Sequence, residues 1–294
     1  MATEVPAPLG LPAAADASRI PRRRIRLGAP LWVGLIIVGV IVIVSLAAPL
    51  IAPFPPNQQN LIHALEPPLS PGHLLGTDQF GRDELSRVLY AGRVDLLIAF
   101  GATLVTFSFG TLVGLIAGSV GGIVDTILMR IVDVFFAFPL VVLVLAIIAI
   151  LGSGLQNMFF AIWAVTWVSY ARIVRAEVLV VRRQEYVTAA RALGYSRWRT
   201  MTRHILPNAV APAIVYGMID AVNNVGIGAA LGFLGLGVQD PTAEWGKMIA
   251  DSQDFIRTAW WLSVVPGVAI AAFGLGLSII GDALADRLRA REAR

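Results

Sequence analysis

From Leu31 to Ala52 the chain runs for 22 residues without a charge. A hydrocarbon core of about 30 Å needs roughly 20 such residues as a helix, so this run is long enough to cross one. Five more apolar stretches follow: Leu96 to Ile116, Ile127 to Leu151, Met158 to about Val174, Ala209 to about Leu234, and Ala259 to about Ile280. Pro139 sits inside the third span and predicts a kink there. The fourth is expected to run on toward Val181. Composition agrees, since only 14% of the 294 residues are charged, where a soluble domain carries roughly a quarter. The expected fold is an all-α, polytopic membrane protein with six transmembrane helices.

The chain divides accordingly into a tail (1–30), a first span (31–52), an outer segment (53–93), a core (94–282) and a basic tail (283–294). Basic residues fix the expected orientation. Seventeen of the 23 lie in the N-terminal tail, around residues 185–208, or in the C-terminal tail. The positive-inside rule puts those segments, and both termini, in the cytoplasm. The run after PRRRIR is too long for a signal-peptide core, so it reads as an anchor. The outer segment holds six prolines between Pro53 and Pro71 and reads as a loop. Thr77 or Asp78 is expected to open a short amphipathic helix lying on the outer membrane surface, with Leu85, Val88 and Leu89 on one face. The chain has no cysteine, and His63, His73 and His204 are scattered, so no metal site is expected. The arginines flank apolar spans, which argues against nucleic-acid binding.

One segment between two spans is charged and helix-patterned: EYVTAARALGYSRWRTMTRHILPN, residues 185–208. Tyr186, Ala189, Ala190 and Leu193 recur at helical spacing and share a face. Glu185 and Arg191 stand at the ends favoured by the helix dipole. Gly194 follows where a helix takes a left-handed residue. Ser196 is placed to cap a second short helix, and Pro207 suits the first turn of the next. On periodicity alone this element is either a docking helix or an amphipathic helix lying on lipid.

TAARALG, nine residues and HILP resemble the EAA loop of ATP-binding-cassette (ABC) importer permeases. Ala189, Ala190, Gly194, Leu206 and Pro207 match that pattern, while Thr188 replaces its Glu and His204 its Ile. GTDQFGRDELSRVLYAGR (76–93), MRIVDVFFAFP (129–139), FLGLGVQDPTAEWGKMI (233–249) and GDALADRLR (281–289) are similar to the dipeptide/oligopeptide/nickel branch, and to its C-type subunit. The resemblance covers about residues 30–290. It implies an ABC type I importer permease that moves short peptides, or alternatively nickel or another small solute. It implies a homologous second permease, two cytoplasmic ATPase subunits carrying ATP and Mg, and an extracytoplasmic substrate-binding protein. It also implies a bacterial or archaeal cell membrane. Residues 185–207 would then be the coupling element, with Glu185, Tyr186, Ala189, Ala190, Arg191, Leu193, Gly194, Leu206 and Pro207 as its functional residues.

The rest of the sequence is consistent with a transport subunit that is not itself an enzyme. No G-x-x-x-x-G-K-[ST] loop occurs, so no cofactor is expected on this chain. GLGLSIIG (274–281) and GFLGLG (232–237) read as close helix packing. Arg130 and Asp133 are three apart and are expected to pair along one helix. Asp220, Asn223 and Asn224 fall inside the fifth span, where Asp220 and Asn224 face alike; they either line the translocation path or bind a neighbouring helix. Asp78, Arg82, Asp83 and Trp245 are candidates for binding-protein contact or an outer gate. Trp245, Trp260 and Trp261 read more simply as interfacial anchors. An ion-driven transporter would show inverted repeats, and a membrane enzyme would show a polar cluster at membrane depth; neither pattern is visible.

Overall fold

The computed structural model describes residues 28–292, with side chains as far as Leu288. The basic PRRRIR patch and the ends of both expected tails lie outside the described residues. Among the described residues the architecture is helical, without a named strand. Helix α1 (Ala29–Leu46) carries a proline in its first turn, where no N–H is needed. The outer segment follows, held by turns and two isolated bridges.

Helix α2 (Glu84–Leu96) starts nearly two turns later than the sequence predicts. Asp83 is its cap, accepting the Ser86 N–H at 2.8 Å. It does not stop at the membrane surface. It passes through a π-helical stretch (Leu97–Ala102) into α3 (Thr103–Val120), forming one helix of 37 residues. The expected surface-lying helix is therefore the outer part of a span. Gly121, at φ +71°, ends it.

The third expected span is not a kinked helix. It is two helices, α4 (Gly122–Phe136) and α5 (Leu140–Leu151), meeting at 87°. Pro139 is the reason: it donates no N–H and keeps the preceding residue out of helical geometry. Helix α6 (Leu155–Val181) is continuous over 27 residues. After the 185–208 element come α7, described below, then α8 (Ala211–Phe233), α9 (Trp245–Asp251) and α10 (Trp261–Glu292).

Among the described residues four helices are long and apolar enough to cross a membrane, five if the bent α4–α5 pair counts as one span. The expected fourth span lies on α6, which is about 40 Å long but not apolar enough to be counted with these, and thirteen of its residues are buried. Its contact with α3 is close. Gly110, Gly114 and Gly118 face it at four-residue spacing, and a Cβ on any of them would collide with Trp167, Ala171 or Val178. This is the small-residue packing that membrane helices use in place of a hydrophobic driving force. In the same way, Gly276 of the expected glycine-rich stretch packs against Ile37 and Val38 of α1. Outward-facing Trp32, Ile36, Ile43, Leu104 and Val268 remain exposed, as lipid contact requires.

Candidate functional site

At the basic end of the bundle, α7 (Glu185–Ala192) is a short two-turn helix. It ends in a Schellman turn. Gly194 donates to the Arg191 carbonyl at 2.9 Å and Tyr195 to the Ala190 carbonyl at 3.2 Å. Gly194 sits at φ +83°, in the left-handed region, with open space around it. Backbone geometry, not crowding, therefore demands glycine there. Ser196 accepts the Arg199 N–H at 3.2 Å and starts the predicted second short helix, Arg197–Thr200. A π-helical turn (Met201–Ile205) then leads into Leu206–Ala209, with Pro207 in its first turn.

The two alanines separate. Tyr186, Ala189 and Leu193 are exposed, Leu193 at 77%, whereas Ala190 is 5% exposed. Ala190 therefore belongs to the buried side, with Val187, and not to the outer stripe. Val187 and Ile205 enter a core with Tyr170, Val174 and Val178 of α6 and Ala213 of α8. Glu185 and Arg191 are exposed, Leu206 is half-buried, and Pro207 is exposed. The element thus offers an outer stripe while its inner side is packed onto two membrane helices. Partial desolvation of its ring raises the Tyr186 hydroxyl above its ordinary range even on this exposed stripe.

The α4 acids do not pair along their own helix. Asp125 receives both Arg175 nitrogens, at 2.6 and 2.7 Å, and Asp133 receives Arg172 at 2.9 Å. Arg172 also lies 3.8 Å over the Phe136 ring. These pairs tie α4 to α6 in place of the expected Arg130–Asp133 pair. Spacing gave no hint of them, because the partners lie 39 and 50 residues apart.

Within the spans, Asp220 is 2% exposed and Asn224 0%. Asp220 Oδ2 accepts from the Tyr170 hydroxyl at 2.9 Å, from Asn224 Nδ2 at 3.2 Å and from the Thr103 hydroxyl at 3.4 Å. Three helices meet at this carboxylate, and that satisfies a polar group which would otherwise be costly to bury. Asn223 is not part of the cluster. It is exposed on the outer face of α8, with Ile219 and Gly226. The sequence did not single out Tyr170 or Thr103 as partners.

At the opposite end, the four outer candidates are all buried. Asp78 is 4% exposed, Arg82 3%, Asp83 2% and Trp245 2%. Asp78 accepts from Arg82 Nε at 2.6 Å and lies 3.5 Å from Arg87 Nε. Asp83 binds His73 Nδ1 at 2.8 Å as well as capping α2. The Trp245 indole donates to the Val88 carbonyl and its backbone N–H to Asp95, both at 3.1 Å. Trp261, only 4% exposed, donates to the Thr77 carbonyl at 3.3 Å. Trp245 and Trp261 are therefore interior fastenings and not interfacial anchors; Trp260, 54% exposed, fits the anchor role. Asp78, Arg82 and Asp83 hold the outer segment onto α2 and do not present a contact surface. Glu244 caps α9 by accepting the Gly246 and Lys247 N–H groups at 2.7 and 2.8 Å. Its burial raises that carboxyl above the usual range, against the pull of those N–H groups.

Comparison with known proteins matches this architecture. Residues 110–293 match the family described as binding-protein-dependent transport system inner membrane component. Residues 28–68 match the N-terminal transmembrane domain of oligopeptide transport permease C. The dipeptide transport system permease protein DppC of Alkalihalophilus pseudofirmus is 42% identical over 87% of this chain and 84% of its own. DppC of Haemophilus influenzae is 39% identical over 87% and 88%. The Escherichia coli protein of the same name is 41% identical over 87% of each chain. A solved chain of the MetNI methionine ABC transporter, in an inward-facing conformation, shares the fold. It has a TM-score of 0.57 and 20% identity, covering 70% of this chain and 96% of that one. Family match, identity over most of the chain and shared fold agree: the chain belongs to the binding-protein-dependent transport system inner membrane components, as a transport subunit and not an enzyme.

Proposed function

We propose that this chain is one of two homologous membrane subunits in an ATP-driven importer of short peptides. Its partner would be a second, related permease. Two cytoplasmic ATPase subunits would carry the ATP and Mg, and an extracytoplasmic binding protein would deliver the peptide. The membrane is a bacterial or archaeal cell membrane, crossed six times with both termini inside. The peptide class rests on the relatives named for dipeptide transport.

The observation that carries the coupling role is the two-sidedness of residues 185–207. Tyr186, Ala189 and Leu193 face outward while Val187 and Ile205 pack onto α6 and α8 and Ala190 is buried. A partner closing on the outer stripe would move those helices, because Val187 and Ile205 are packed into the core they share. The Gly194 turn fixes the angle of that lever. The exposed Asn223 face of α8 suits the path or the second permease, and the Asp220 cluster suits the joint behind it. The test is reconstitution with the adjacent ATPase, permease and binding-protein subunits, read as peptide-dependent ATPase activity and uptake. Normal uptake by a well-inserted Ala189→Arg variant would sink the coupling role.

A further inference from the structure

A cavity of about 580 Å³ opens between the basic end of α3 and the 185–208 element. Its walls differ in chemistry. Val120, Met201 and Ile205 are apolar, whereas Arg191, Arg197 and Thr200 bring cations and a hydroxyl. Thr200 is 1% exposed, yet its hydroxyl meets no partner, and neither does the buried Ser119 hydroxyl on the α3 side. A buried hydroxyl left unpaired is costly, so two of them at one cavity point to a ligand that accepts hydrogen bonds. Neither guanidinium meets a carboxylate among the described residues. Trp198, 69% exposed, stands at the rim.

We propose that this cavity holds the headgroup of an anionic phospholipid from the surrounding bilayer. The phosphodiester oxygens would accept from Arg191, Arg197 and the two hydroxyls, as charge-assisted bonds to arginine favour. An acyl chain would leave along Val120, at the end of a membrane-spanning helix. That apolar wall favours a lipid over a free phosphate or an acidic side chain of a protein partner, either of which would leave it uncovered. Trp198 would sit at headgroup depth, where indoles partition. A lipid here would wedge the 185–208 element against α3, so bilayer charge would tune the lever described above.

The test uses the full chain in mixed micelles, read by native mass spectrometry and by quenching of tryptophan with brominated lipids. Wild type should retain phosphatidylglycerol in preference to phosphatidylcholine, and brominated phosphatidylglycerol should quench a signal that Trp198→Phe removes. Arg197→Gln should weaken retention about tenfold, as loss of one charge-assisted contact predicts, and Thr200→Val should weaken it less. Equal retention of the two lipids, or variants that bind as wild type does, would overturn the proposal. So would displacement by inorganic phosphate alone. Loss of ATPase binding in Arg197→Gln with lipid retention intact would reassign the cavity to the protein partner. If one variant fails to fold, retention by the other, compared with wild type, decides.

Discussion

The Tyr170 hydroxyl donates to Asp220 Oδ2 at 2.9 Å, joining α6 to α8 across fifty residues of chain. Asp220 also holds Asn224 and Thr103, so three helices share one carboxylate. Tyr170→Phe should therefore cost stability, about 1–3 kcal/mol for a buried acceptor that loses a donor. Thermal melting of the purified chain checks this. Asn223→Ala, on the exposed face, should melt within about 0.5 kcal/mol of wild type while altering uptake. A drop in melting temperature for Asn223→Ala equal to that of Tyr170→Phe would contradict the division.

Ala189 and Ala190 are neighbours with opposite duties. Ala190→Leu should overpack the core around Val187, costing about 1–3 kcal/mol. Ala189→Arg should leave melting unchanged but reduce ATPase stimulation, because it enlarges only the outer stripe. Gly194→Ala should cost about 1 kcal/mol through its left-handed backbone, although no atom lies within 4 Å of the added Cβ. Melting and coupled ATPase assays on the three variants separate these effects.

The α3–α6 contact should tolerate no side chain at its glycines. A Cβ at Gly114 meets the Ala171 carbonyl, so Gly114→Val must push the helices apart. The expected loss is about 1–3 kcal/mol, in line with other overpacked cores. Gly226→Ala on α8, where nothing lies within 4 Å, is the matched control. A crosslinking or melting comparison of the two would show whether close approach is what matters.

Glu244 gives a pH dependence of definite sign. Its folded pKa is raised, so the folded state binds the proton more tightly than the unfolded chain does. Its stabilising share is then full below its ordinary value of 4.5 and fades as pH rises toward the raised value. Melting of wild type should lose ground to Glu244→Gln as pH climbs through that window. Parallel melting curves across the window would rule this out.

The apolar spans, the 185–208 turn and the Ser196 cap were legible because each depends on near neighbours in sequence. Other features were not. Arg87 and Asp95 look like surface residues in a linear reading, but they are buried by Asp78 and by Trp245, the latter far along the chain. Pro139 announced a break, yet its 87° angle depends on how α4 and α5 pack, with arginines of α6 drawing the α4 acids. Periodicity put Ala189 and Ala190 on one face, since adjacent helix positions differ by only about 100°. Which of them is covered depends on α6 and α8.

The π-helical stretch at Leu97–Ala102 has a consequence for how one helix serves two interiors. An α-helix keeps the same azimuth along its length, so a helix of 37 residues would offer a single seam. Widening the turn over six residues resets the phase. Before it, Ala91 and Leu96 share a core with Trp245 and Phe273, which Ala99 within the stretch still joins; Ile98 and Ala102, also within it, share a core with Met158 and Ile162, and Thr103 just after it reaches Asp220. Restoring α-helical winding there by deleting one residue would rotate Thr103 away from Asp220 while the outer fastening stayed in place. The stretch therefore lets one helix serve two cores, the one around Trp245 and the one around Met158, and its winding sets which residues meet each.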